Sequence, residues 1–313
     1  LIVVVDTEEE FDWSTGFSRE NTSVQSMRWI ARIQRIFEEY YIRPVYVVDY
    51  PIASQSEGYK PLQEIYSSRG CVIGAHLHPW VNPPFEEQVD RYNSFPCNLP
   101  KSLEAAKLQI LGACIGEQFG VRPTIYKAGR YGIGPQTCDI LEEQGFDIDL
   151  SVCPHMDYSA EGGPDFYHMS AWPFWFGKRR RILELPLTIG FTGLFRKWGS
   201  PLHRIGSHRA LATFHAVGLM ARLRLVDKIW LSPEGYLLSE HIRLVRALYR
   251  DGLRIFSFAF HSPSVHPGNT PYVTSEADLQ RFLSRCRGFL DFFMGDLGGT
   301  PSTPLELKAQ LGG

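Results

Sequence analysis

The segment LIVVVDTEEEFDW opens the chain and sets five carboxylates, Asp6, Glu8, Glu9, Glu10 and Asp12, directly after a run of aliphatic residues. Burying an unpaired carboxylate is costly, or raises its pKa until it takes up a proton. Such a group at a strand end therefore calls for a cation. Side chains of an extended segment alternate faces, so Asp6 and Glu8 point one way while Thr7 and Glu9 point the other. A second segment, IGAHLHPW at 73–80, carries His76 and His78 two positions apart and again on one face. Two imidazoles with one carboxylate leave a position for water, the donor set of a catalytic zinc or a similar divalent ion. A third, FAFHSPSVHPGNTPY at 258–272, ends an apolar run in His261. His266 reads as a surface residue. His155, His168, His203, His208, His215 and His241 lack any paired spacing and read as structural.

These groups can act together only if their segments end side by side, and the rest of the sequence provides for that. Apolar strand-like runs at 1–6, 44–49, 71–78, 124–129, 146–152, 181–188 and 254–260 alternate with amphipathic helical runs at 23–41, 61–70, 102–120, 134–145, 208–226, 236–251 and 275–294. Seven such units imply a parallel sheet and, at 313 residues, a closed or nearly closed α/β barrel. In that architecture the site lies at the carboxyl ends of the strands, where Asp6, His76 and His261 fall. A single barrel is expected over residues 1–297. An aromatic- and arginine-rich insert at about 155–205 forms long loops over one end, and 298–313 is a frayed tail.

Composition removes several classes of function. The net charge of −2 provides no global basic field for nucleic acid or an anionic membrane, and GKRRR at 177–181 reads as a solvated face. No stretch has the roughly 18 apolar residues of a spanning helix. The six cysteines form no C-x-x-C pair, against a zinc ribbon or redox motif. No signal peptide precedes the first strand, which leans the expected compartment towards the cytoplasm.

With these residues placed, the chain resembles the polysaccharide deacetylases, the NodB homology domain of carbohydrate esterase family 4, and within them the WalW-like branch. VVDTEEEFDW, GAHLHPW, YKAGRYG (126–132), ILELPLT (182–188) and FHSPS (260–264) match the family's motifs in order over nearly the whole chain. The resemblance implies a distorted (β/α)7 barrel. It makes Asp6 the catalytic base, Glu8 and His76 metal ligands and His261 the general acid. Most members place the second histidine where this chain has Trp80. Either His78 serves instead, which is the expectation, or Trp80 replaces the ligand as in a metal-free branch that cleaves ureide amides. Where the family has an arginine orienting the base, this chain has Lys127, and Arg130 is expected to take over. Asp149 and Glu184 correspond to supporting groups near His261. Trp13, Trp80, Lys127 and Tyr131 are expected to contact substrate, and Trp172, Trp175 and Trp198 are further candidates for stacking on sugars.

The implied activity is metal-dependent removal of N-acetyl groups from a poly- or oligosaccharide, with zinc the expected ion and lipopolysaccharide or capsule precursors the substrates suggested by the branch. Three alternatives stand beside it: the metal-free amide hydrolase, a glycosidase using Asp6 with Glu10 or Asp12, and a non-catalytic carbohydrate-binding protein.

Overall fold

The chain is described by a computed structural model over residues 1–11, 16–179, 181–206 and 216–312. Asp12 and Trp13 lie outside the described residues, as do His208, His215 and much of the helix expected over 208–226, of which Ala216–Arg222 is described.

Ten strands are described: β1 (Ile2–Thr7), β2 (Val45–Val48), β3 (Val72–Leu77), β4 (Ile125–Ala128), β5 (Ile148–Asp149), β6 (Phe174–Phe176), β7 (Ile182–Glu184), β8 (Ile189–Thr192), β9 (Asp227–Trp230) and β10 (Ser257–His261). Seven pair in parallel in the order β10-β1-β2-β3-β4-β5-β7, and β6 adds antiparallel to β7. The sheet curls into a half-barrel, and β8 and β9, an antiparallel pair, cover its open side. The Leu231 N–H donates to the Thr188 carbonyl at 2.9 Å, and the Ala259 N–H of β10 donates to the Leu231 carbonyl at 3.2 Å. The Leu187 N–H bonds Val152 O at 3.0 Å on the other flank. The result is the distorted α/β barrel of the NodB type.

The pleat sorts residues by parity. On β1, Val3 and Val5 face the helices in the larger core, whereas Ile2 and Val4 face the interior with Val45, Val47, Ile125, Ile148 and Leu183. Asp6 and Glu8 continue that inner row, so the aliphatic bottom of the barrel gives way to carboxylates at its top. On β3 the sorting repeats, with Ile73, Ala75 and Leu77 in the outer core and Val72 packed on the inner one. His76 and His78 share the parity of Val72.

Three expectations change. The 155–205 stretch contributes β6, β7 and β8 to the sheets and is not purely loop. The strand β9 falls in the link between the helices expected over 208–226 and 236–251, because DKIW buries only Ile229 fully and lacks an apolar run. The tail is ordered at Pro304–Gln310, where Thr303 caps the helix with its side chain and Leu307 plugs the inner core beside Ile2 and Val4. The Ser302 N–H donates to Leu1 O at 2.8 Å and ties the tail to the start of β1.

Candidate active site

Strand register brings the three chemical segments together. Asp6 is the parallel-sheet partner of His261, and His76 that of Lys127. The inner carboxyl ends of β1, β3, β4 and β10 open into a cavity of about 640 Å³, lined at its floor by Asp6, Glu8, His76, His78, Lys127 and His261.

Glu8 lies where a cation would be held. Its Oε2 is 3.5 Å from Nε2 of His76 and 3.5 Å from Nε2 of His78, too far for hydrogen bonds. Its Oε1 is buried without a hydrogen-bond partner. Both imidazoles are anchored through their other nitrogen: Nδ1 of His76 bonds the Lys127 carbonyl at 2.9 Å, and Nδ1 of His78 bonds Glu9 at 2.7 Å. Outer partners of this kind fix the ring and leave Nε2 for a metal. Burial, then the neighbouring His76, lowers the His78 pKa to about 4, which keeps the imidazole a neutral donor. Gly129 permits this packing, since a Cβ there would sit 2.6 Å from Cδ2 of His78. The donor set therefore fits a divalent ion.

Trp80 does not take the histidine's place. Its ring stacks on His78 at 4.3 Å, and its indole N–H donates to Glu9 at 2.8 Å. Glu9, on the opposite parity to Glu8, accepts from Trp80 and contacts Asp49, whose carboxylate receives the Glu9 and Ile52 amides at 2.7 and 2.8 Å. Burial raises Glu9 to about 7 and Asp49 well above the usual carboxylate range. This outer pair is a proton-sharing support beneath His78.

Asp6 is paired through Oδ2 with the Lys127 ammonium, while its Oδ1 is buried and has no hydrogen-bond partner. Burial would raise its pKa, but Lys127, His76 and His261 together hold it below the usual value. His261 has Nε2 3.8 Å from the same Asp6 carboxylate. Its Nδ1 bonds Glu234 at 2.8 Å, and Glu234 also receives the His261 N–H at 3.2 Å and the Ser264 hydroxyl. Burial lowers the His261 pKa, yet Glu234 first, and Glu8 after it, raise it to about 10.

Several expected roles move. Lys127, expected at the substrate, is the partner of Asp6. Arg130, expected to orient that base, instead pairs with Glu161, donates to Ser94 Oγ at 2.6 Å and lies 4.2 Å above the Phe95 ring. The chain turns away there, with φ of 50° at Arg130 and 61° at Tyr131. Tyr131 lines the cavity, its ring 5.2 Å from the Lys127 ammonium. Asp149 and Glu184 are not near His261. They are register partners on β5 and β7 with outer parity: Asp149 accepts from Ser151 Oγ at 2.5 Å and Glu184 from the Val152 N–H at 3.0 Å. Among the described residues Trp80 and Trp230 line the cavity, whereas Trp172 and Trp198 are exposed elsewhere and Trp175 packs on the inner core. Glu10, one partner in the glycosidase reading, is turned to Ser23 Oγ at 2.6 Å and to the Ser26 amide.

Glu234 and Trp230 were missed because their strand was. The available signal was LSPEG at 231–235, an acid in a Pro/Gly turn after the short segment VDKIW.

In sequence comparisons no family profile matches the chain, and no curated protein does. Solved structures share its fold. A Mycobacterium smegmatis protein assigned as a polysaccharide deacetylase aligns with 98% of this chain and 89% of its own at a TM-score of 0.52 and 15% identity. PuuE allantoinase aligns with 98% of this chain and 88% of its own at 0.50 and 14% identity. The 4-α-glucanotransferase of Thermococcus litoralis reaches 0.53 and 14% identity, over 99% of this chain and 40% of that one. At these identities the likeness establishes the architecture, an α/β barrel of the NodB polysaccharide deacetylase type. Because this fold carries several chemistries, the side chains at the strand ends must decide among them.

Proposed function

We propose that the chain is a metal-dependent hydrolase that removes N-acetyl groups from amino sugars of a poly- or oligosaccharide, a C–N hydrolase of the WalW-like kind. The observation that carries this reading is the convergence of Glu8 Oε2 with both Nε2 atoms at 3.5 Å while each Nδ1 is tied elsewhere. Glu8, His76 and His78 would hold the ion, with zinc expected from the mixed imidazole and carboxylate donors. When bound, it would polarise the acyl carbonyl and bring the pKa of a water towards about 7.

The remaining steps belong to the chain. Asp6, ionised through its pair with Lys127, accepts the proton of the attacking water at its unpartnered Oδ1. The backbone N–H of Tyr131 serves as a donor to the developing oxyanion. Glu234 holds the proton on Nδ1 of His261, so Nε2 is the atom that protonates the departing amine. Trp230 and Tyr131 offer rings to the sugar, whereas Trp80, buried and stacked on His78, backs the metal-site histidine. The products are acetate and a free amino sugar, and lipopolysaccharide or capsule precursors are the substrates the branch resemblance favours.

Elemental analysis of the purified protein, paired with acetate release from N-acetylglucosamine oligomers before and after chelation, tests the reading. About one divalent ion per chain and acetate release lost with the ion are expected. Undiminished hydrolysis by metal-free protein would return the site to the amidase alternative, and reducing sugar without acetate to the glycosidase.

A further inference from the structure

Four lysines among the described residues are buried or half-buried, and three of them meet a carboxylate: Lys107 with Glu87, Lys127 with Asp6 and Lys308 with Asp147. The fourth, Lys228, has no carboxylate within ion-pair distance among the described residues. Its ammonium makes only a 3.4 Å contact to the His155 carbonyl and a 3.1 Å contact to the Met156 sulfur. A half-desolvated ammonium with such weak acceptors is a group short of a partner.

The pleat of β9 decides where that group faces. Asp227 turns outward to Arg243 at 2.9 Å and Ile229 enters the outer core, whereas Lys228 and Trp230 both line the cavity. The Trp230 ring meets Tyr131 edge-on at 6.1 Å, and Tyr131 in turn lies under Lys127, the partner of Asp6. An aromatic wall thus runs from the reacting end of the cavity to Lys228. A second observation lies beside it: Nδ1 of His155 is buried and has no hydrogen-bond partner. Burial first, then the charge of Lys228, keeps the imidazoles of His155 and His203 below their usual range. Among the described residues, therefore, no carboxylate within ion-pair distance competes for the Lys228 charge.

We propose that Lys228 is an anion subsite of this cavity: the substrate carries an anionic oxygen group, a carboxylate or a phosphate, that bonds the Lys228 ammonium while the adjoining sugar ring lies on Trp230. The subsite rests on the carbohydrate reading of the same cavity and narrows it to acidic sugars. A charge-assisted bond to a half-buried ammonium is stronger than one between neutral groups, so it discriminates an acidic sugar from its neutral counterpart.

The test is calorimetric titration of the purified protein with N-acetylglucosamine, N-acetylglucosamine 1-phosphate and glucuronic acid, repeated on Lys228→Met and Lys228→Arg. At least one charged sugar should bind about tenfold more tightly than the neutral one. That preference should vanish in Lys228→Met and persist in Lys228→Arg, and the sugar that shows it identifies carboxylate or phosphate as the group read. Thermal unfolding establishes that each variant is folded, and Lys228→Gln replaces Lys228→Met if the latter is not. No charged-sugar preference, or one equally large without the ammonium, would overturn the proposal. Acetate release is measured in parallel. A Lys228-dependent preference without acetate release keeps the subsite and rejects the deacetylase, whereas acetate release without the preference rejects the subsite alone.

Discussion

Two of the pairs of buried carboxyl groups at strand ends of this barrel, Asp6 with Glu8 at the end of β1, and Asp149 with Glu184 on β5 and β7, differ in which side of the sheet they occupy. Asp6 and Glu8 have inner parity, open into the cavity and face Lys127, two histidines and His261. Asp149 and Glu184 have outer parity and face one another, with Ser151 and the Val152 amide as further partners. The protonation consequences are opposite. Burial would raise Asp6, Asp149 and Glu184, but Lys127 and its neighbours reverse that for Asp6, whose pKa is lowered. For Asp149 burial prevails and raises the pKa. For Glu184 burial and then the charge of Asp149 raise it well above the usual range. Asp6 keeps its negative charge beside Lys127, whereas Asp149 and Glu184, register partners on β5 and β7, both favour their protonated forms. Burial of a carboxyl group therefore says little about its role until its side of the sheet and its counter-charge are known.

The strongest way to break this contrast is Asp6→Asn. Turnover should fall by at least about a hundredfold, the scale of general-base loss, with metal content and melting temperature near those of the wild type. Near-normal turnover would move the base elsewhere, with Asp12 the next candidate.

Glu234→Gln tests the inner cluster through pH. With Glu234 present the imidazolium of His261 persists to about 10, so the alkaline limb of turnover lies high. Removing the anion weakens the hold on that proton, and the limb should move down by about 1–3 pH units. An unmoved limb would mean that another group sets it.

On the outer side, Asp149→Ala should leave turnover per folded molecule within about twofold of the wild type. It should also lower stability by about 1–3 kcal/mol in denaturant titration, because Glu184 and Ser151 lose a buried partner. A large loss of turnover at unchanged stability would erase the distinction between the two pairs.

The smallest expected effect is in the pH dependence of stability. Glu184 binds its proton more tightly folded than unfolded, so above its ordinary value of 4.5 the folded state holds more protons and stability falls as pH rises. The slope from this group is at most about 1.4 kcal/mol per pH unit. Glu184→Gln should flatten the fall in melting temperature between about pH 5 and pH 8. A curve identical to the wild type would show that the pair does not share a proton.

What the sequence determined by itself was the local alternation. Ile2, Val4, Asp6 and Glu8, like Val72, His76 and His78, follow a period of two that needs only an extended backbone, so the convergent carboxylate and histidine rows were legible together with the strand–helix rhythm of the barrel. Which face of a strand looks inward is not local, because it depends on register with neighbours far along the chain. That is why Asp149 and Glu184 were expected at the cavity, although pairing with β4 turns Ile148 and Leu150 inward and the acids outward. The choice of Lys127 over Arg130 was equally hidden, since it rests on a left-handed turn at Arg130 and Tyr131 that carries the guanidinium off to Glu161. Glu234 and Lys228 required a strand of which only Ile229 is fully buried and whose one regular partner among the described residues is antiparallel β8. Only the closing of the barrel brings that strand, and with it the carboxylate on His261 and the Lys228 ammonium, which meets no carboxylate among the described residues, against the cavity.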